Sequence, residues 1–187
     1  MTSGQNRRMP AEGELQRIRS GPSADERIQT PQPFLVRVFF GAEDASRVLA
    51  VARAALGAVI ERIGAWPEDG SWPELLPAEF VGRCAIEDQE SADGGPEAVA
   101  VWEAWWRSLS PREKAEASEG PWRLSDWLFY FDPTEGGQGG DRSWWWWDAG
   151  VDASGEGWVE VATTGWPFGT GSLYWLIKAS GGQNPHY

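Results

Sequence analysis

Apolar residues in this chain gather into runs whose spacing names the elements. Phe34 to Phe40 is almost wholly β-branched or aromatic and stops at Gly41, which predicts a strand over 34–40. Ala45, Val48, Leu49, Ala52, Ala55, Leu56, Val59, Ile60 and Ile63 then recur at helical spacing, with Gly64 placed to end the run. At about 1.5 Å per residue that helix would be about 30 Å long. Pro67, Pro73 and Pro77 break the following stretch into short pieces. Pro96 can open a helix with Ala98, Val99, Trp102, Trp105, Trp106 and Leu109 on one side. Ser110 and Glu113 form a capping-box pair around Pro111, predicting a second short helix to Ser118. Leu124, Trp127, Leu128 and Phe131 fit a helix over 124–131.

Trp144 to Ala149 and Trp158 to Thr163 flank a turn-rich Asp152 to Gly157 and read as a β-hairpin. Gly171 and Ser172 open a last helix carrying Leu173, Leu176 and Ile177, stopped by Gly181 and Gly182. The order of elements predicts an α+β fold: a small antiparallel sheet, built from the strand near 34–40 and the hairpin near 143–163, with helices packed on one face. Residues 1–33 lack an apolar run and are expected to form a disordered arm. Residues 34–182 are expected to form one domain, and residues 183–187 a frayed tail.

Charge sharpens this picture. The chain has 187 residues with a net charge of -12. The arm holds five Arg and four acids, so it carries +1 and the remainder carries -13. Between Trp66 and Gly95, eight acids face only Arg83. Such a balance argues against nucleic-acid binding and against attachment to an anionic membrane surface, because both need a positive field. The longest apolar run, Val48 to Ile60, is interrupted by Arg53 and falls short of the roughly twenty residues that span a bilayer. The arm lacks the apolar stretch of a secretory signal. With one Cys and no disulfide partner, a reducing cytoplasm is the expected location.

Candidate chemistry is sparse. Cys84 has no histidine nearby in sequence to activate it, since the one His is His186. The glycines from Gly136 to Gly140 lack the Gly-Lys-Ser/Thr of a phosphate loop. No cofactor or metal motif is present. Asp126, Asp132, Asp148 and Glu160 lie among aromatics, which leaves carboxylate-based glycan hydrolysis or glycan binding as one reading. The four consecutive Trp of the hairpin are the feature that folding alone does not explain. On a strand, alternate residues face opposite ways, so a pair of these rings needs cover from a helix, from the arm or from another chain.

Trp144 to Ala149, the Val-rich strand after them, Gly165-Trp166-Pro167, Leu173 to Ile177 and Ala179-Ser180-Gly181 resemble small acidic proteins of actinobacterial type. Some of these are similar to immunity proteins of bacterial toxin systems. The resemblance is confined to the C-terminal third and implies no binding residues. Acidity and tryptophan together suit a non-enzymatic protein that seals a basic, nuclease-like toxin, with charge steering the encounter and Trp supplying buried anchors. The candidate contacts are Glu87, Asp88, Glu90 and Asp93, with Trp66, Trp72, Trp145 and Trp147. The alternative is a scaffolding protein that forms homo-oligomers through its Trp-rich strand.

Overall fold

The computed structural model describes residues 11–28, 34–87, 101, 104, 105, 107–110, 120–133, 142–163 and 165–187. The strand expected near 34–40 is β1, Phe34–Gly41. The hairpin is β2, Trp144–Val151, and β3, Gly157–Thr163. A fourth strand, β4, Gln183–His186, pairs antiparallel with β1 and gives a sheet of order β2-β3-β1-β4. The tail expected to fray is therefore an edge strand, anchored by the Phe39–His186 and Gly41–Gln183 pairs.

Around the sheet lie α1 (Ala11–Ser20), α2 (Ala24–Ile28), α3 (Ala45–Ile60), α4 (Trp72–Leu75), α5 (Ala78–Val81), α6 (Leu124–Leu128) and α7 (Gly171–Ala179). The expected extension of α3 to Ile63 is replaced by turns beyond Ile60. At its start, Asp44 accepts a hydrogen bond from the Arg47 N–H at 3.0 Å, which satisfies one of the orphan donors of the first turn. Most of the helices predicted over 96–109 and 110–118 lie outside the described residues, as does the glycine loop.

Cross-strand register explains which residues make the core. Val36 opposes Val161, Val38 opposes Val159, and Trp146 opposes Val161 on its other side. These side chains share the inner face with Phe40 and Trp144, against Val48, Leu49, Ala52, Leu56 and Val59 of α3 and Leu173, Leu176 and Ile177 of α7. Phe40 lies opposite Gly157, whose missing side chain makes room for the ring: a Cβ there would overlap it. Trp72, Trp127, Trp144 and Trp146 are all fully buried. At about 25 cal/mol per Å², burying the roughly 150–250 Å² of each ring contributes about 4–6 kcal/mol before entropy is counted. Ser172 at the start of α7 orients two of them, its carbonyl accepting from Trp127 Nε1 and its hydroxyl from Trp144 Nε1, each at 3.0 Å.

The largest departure from expectation is at the N-terminus. Residues 11–28 are helical and built into the fold, which corrects the disordered-arm reading for that stretch. Ile18 is buried in the core, and it and Leu15 lie against α3 where Gly57 has no side chain, 3.7 and 3.9 Å from where a Cβ would stand. Gly21, at a φ of 71°, ends α1 with its N–H on the Arg17 carbonyl. Ser23 and Glu26 then exchange reciprocal capping-box bonds of 3.2 and 2.8 Å to start α2.

Candidate partner-binding surface

The eight candidate contacts fall into separate local settings. Trp66 is half-buried and leans on Trp72, ring centroids 4.7 Å apart at 57°. Trp72 is 1% exposed and belongs to the core, so its role is to support Trp66 and not to present a ring to a partner. Glu68 lies two residues from Trp66 and Glu74 two residues from Trp72, and both carboxylates are exposed. Neither has an ionic partner among the described residues.

Glu87 is exposed yet committed, accepting from the Ser125 N–H at 2.8 Å and the Ser125 hydroxyl at 2.7 Å. Arg123, the residue before α6, has no side-chain oxygen to cap it, and Glu87 supplies the carboxylate from a remote part of the chain. Asp88, Glu90 and Asp93 lie outside the described residues.

Trp147 is the extra residue of a β-bulge between Trp146 and Asp148, and Trp145 pairs regularly with Ala162 just before it. Trp147 is 5% exposed and lies under the Arg17 guanidinium, 5.3 Å from its ring centre. Trp145 is half-buried beside Arg142 at 5.9 Å. The N-terminal helix is thus part of the cover that the Trp run required.

That cover is built from charges which sequence reading did not single out as a site. Glu14 is fully buried, receives both terminal nitrogens of Arg142 at 2.7 Å, and accepts the Trp146 N–H at 2.8 Å. Arg17, 4% exposed, donates its Nε to the Trp146 carbonyl at 3.2 Å and pairs with Glu26 at 2.6 Å. Arg142 also stacks over Phe131 and Trp144. Burial raises the Glu26 carboxyl, but hydrogen bonds from the Ser23 N–H and from Arg17 outweigh it, so the group sits below its ordinary value. The signals for this network lay in the sequence as Leu15 and Ile18 at i, i+3, Gly21 after them, and Ser23 three residues before Glu26.

Elsewhere cations are matched within the fold. Arg47 and Arg83 both bind Glu79, whose carboxyl is held low chiefly by the Arg47 hydrogen bond. Arg27 binds Asp148, Arg37 binds Glu160, and Arg19 binds Glu61. Cys84 is half-buried with its thiol pushed up to about 11 by burial, the charge of Glu87 adding to the effect. The Trp175 side chain opposes the rise. A thiol so held is protonated at neutral pH and a poor nucleophile. Among the described residues, no three His, Cys, Asp or Glu side chains converge as a metal site requires. No described helix is long and apolar enough to cross a membrane. Compared with known proteins, the chain matches no family model, no curated protein and no solved structure.

Proposed function

We propose that this protein is a non-enzymatic binding protein of immunity type, which docks a basic, nuclease-like toxin on an acidic surface centred on Trp66. The observation that carries this reading is how the charges are allotted. Arginines pair with Glu14, Glu26, Glu61, Glu79, Asp148 and Glu160 of the same fold, while Glu68 and Glu74, each two residues from a ring of the Trp66–Trp72 pair, stand exposed. In a chain of net charge -12, a surface of that kind attracts a cationic partner and offers an aromatic anchor already backed by Trp72. The protonated Cys84 thiol also supports a binding role over thiol chemistry.

Glu87 belongs to this reading as the residue that fixes α6, and Trp147 as a ring buried under α1; neither is offered as a contact. Co-expression with basic, nuclease-type toxins, starting with any encoded beside this chain's gene, tests the proposal. Growth is restored by the native chain and lost when Glu68→Lys and Glu74→Lys are combined in a protein that still folds. Rescue by the charge-reversed chain at native strength would refute the assignment of the surface.

A further inference from the structure

Arginine and tryptophan meet in this fold by a repeated arrangement. The Arg142 guanidinium lies 5.4 Å from the centre of the Trp144 ring, while both its terminal nitrogens donate to Glu14 at 2.7 Å. Arg17 lies 5.3 Å from the centre of Trp147 and donates to Glu26 at 2.6 Å. Arg37 lies 4.1 Å from the centre of Trp158 and pairs with Glu160 at 3.0 Å. Each time an indole and a carboxylate hold one guanidinium between them. The planar cation serves both, because it stacks by its face and donates from its rim. Deep burial is not required, since Trp158 is half-buried and Arg37 is 44% exposed.

Trp66 has two of these three members. Its ring is half-buried against Trp72, and Glu68, two residues on, is exposed and without an ionic partner among the described residues. Among the described residues, no arginine lies over Trp66. Arg62, the nearest arginine in sequence, is committed elsewhere: its Nη1 donates to the Ala58 carbonyl at 2.8 Å and lies 3.7 Å from Glu61. Trp166 makes the contrast. It is 50% exposed, but its neighbours are the rings of Phe168 and Tyr187, and the chain carries no acid from Val161 to Tyr187. Trp66 therefore joins an accessible indole to a free carboxylate and lacks the cation.

We propose that the absent member comes from the partner: an arginine of the basic toxin lays its guanidinium over Trp66 and donates to Glu68. This rests on Trp66 as the centre of the docking surface and names the side chain that the surface takes. Arginine is favoured over lysine, because a compact ammonium offers no flat face to the indole and no fork to the carboxylate. Glu74, exposed two residues from the buried Trp72, adds to the field that draws the cation in. Arginine and tryptophan are also the residues that carry most weight at the centre of protein interfaces.

Two capped peptides of equal charge, tetra-arginine and tetra-lysine, test this on the full-length chain. The Trp66 indole N–H is followed by NMR, assigned through its loss in Trp66→Phe. The native chain is expected to bind tetra-arginine about two- to fivefold tighter than tetra-lysine at the same salt. Tetra-arginine should also shift the Trp66 resonance and show Overhauser contacts between that ring and arginine side-chain protons. Trp66→Leu is expected to abolish the preference and leave equal, charge-driven binding of both peptides, and Glu68→Gln to weaken tetra-arginine more than tetra-lysine. Equal affinities for the native chain, a preference that survives Trp66→Leu, or a Trp66 resonance that tetra-arginine does not move would each overturn the proposal. Should Trp66→Leu fail to fold, the Overhauser contacts in the native chain decide: their presence supports the stack and their absence contradicts it. The docking reading fails separately. Toxin rescue that depends on Glu68 and Glu74, with no arginine preference, removes the arginine and keeps the surface. An arginine preference in a chain that rescues from no basic toxin keeps the Trp66 site and removes the toxin.

Discussion

Individual residues carry unequal weight here, and Glu14 carries the most. A carboxylate with no exposure costs free energy to bury, and the two Arg142 bonds and the Trp146 N–H offset that cost. Glu14→Ala leaves Arg142 buried without its partner, and a loss of about 3–5 kcal/mol is expected by urea denaturation. Combining Glu14→Met with Arg142→Met recovers part of that loss and no more, because the Trp146 N–H still lacks its acceptor, at a cost of about 1–3 kcal/mol. Gly157 is the second such position. Gly157→Ala drives a methyl into Phe40 and should cost about 1–3 kcal/mol, whereas Gly64→Ala, which meets open space, should leave thermal stability nearly unchanged. Equal melting temperatures for those two variants would refute the packing described around Phe40.

Among the elements, those with a strong period were legible and those held by long-range charges were not. Strand 34–40, the start of α3 and the hairpin follow from local pattern, because alternation and helical spacing report directly on a buried face. The N-terminal helix pair was missed because its apolar content is slight. Its burial depends on Glu14 meeting Arg142, well over a hundred residues away, which local pattern does not report. The same limit applies to Glu87, which reads as one more surface acid until Ser125 is brought beside it. Of the residues expected at a partner surface, Trp66 and Trp145 are half-buried, Trp72 and Trp147 are buried rings, and Glu87 is bound to Ser125; the exposure of Glu68 and Glu74 is what the sequence did not disclose. Two element-level outcomes follow. Asp44→Ala removes the cap of α3 and should lower stability by about 1 kcal/mol in thermal melts. Glu26 titrates below its unfolded value, so its stabilising share is complete above the ordinary carboxylate range and is lost as pH falls through the folded value. Acidification below about pH 4 should therefore loosen α1 and α2 and alter Trp147 fluorescence, and Glu26→Gln should weaken that acid step.

At the scale of the molecule, one helix-covered sheet buries six of the twelve described tryptophans, covers one edge with α1, and leaves an acidic excess outside. Tryptophan and acidity, adjacent in the composition, thus separate in the fold: the first fills much of the core, and the second is the feature that the proposed function uses for encounter. Trp66, half-buried and two residues from the exposed Glu68, is one place where the two meet at the surface. The most direct test of the proposed function is the association rate constant with a basic, nuclease-type toxin, measured by stopped flow across a range of salt for the native chain and for the combined Glu68→Lys and Glu74→Lys variant. The account predicts fast native association that slows steeply as salt rises, and a variant at least about tenfold slower at low salt with a flatter salt dependence. Identical rates and identical salt slopes for the two proteins would contradict it.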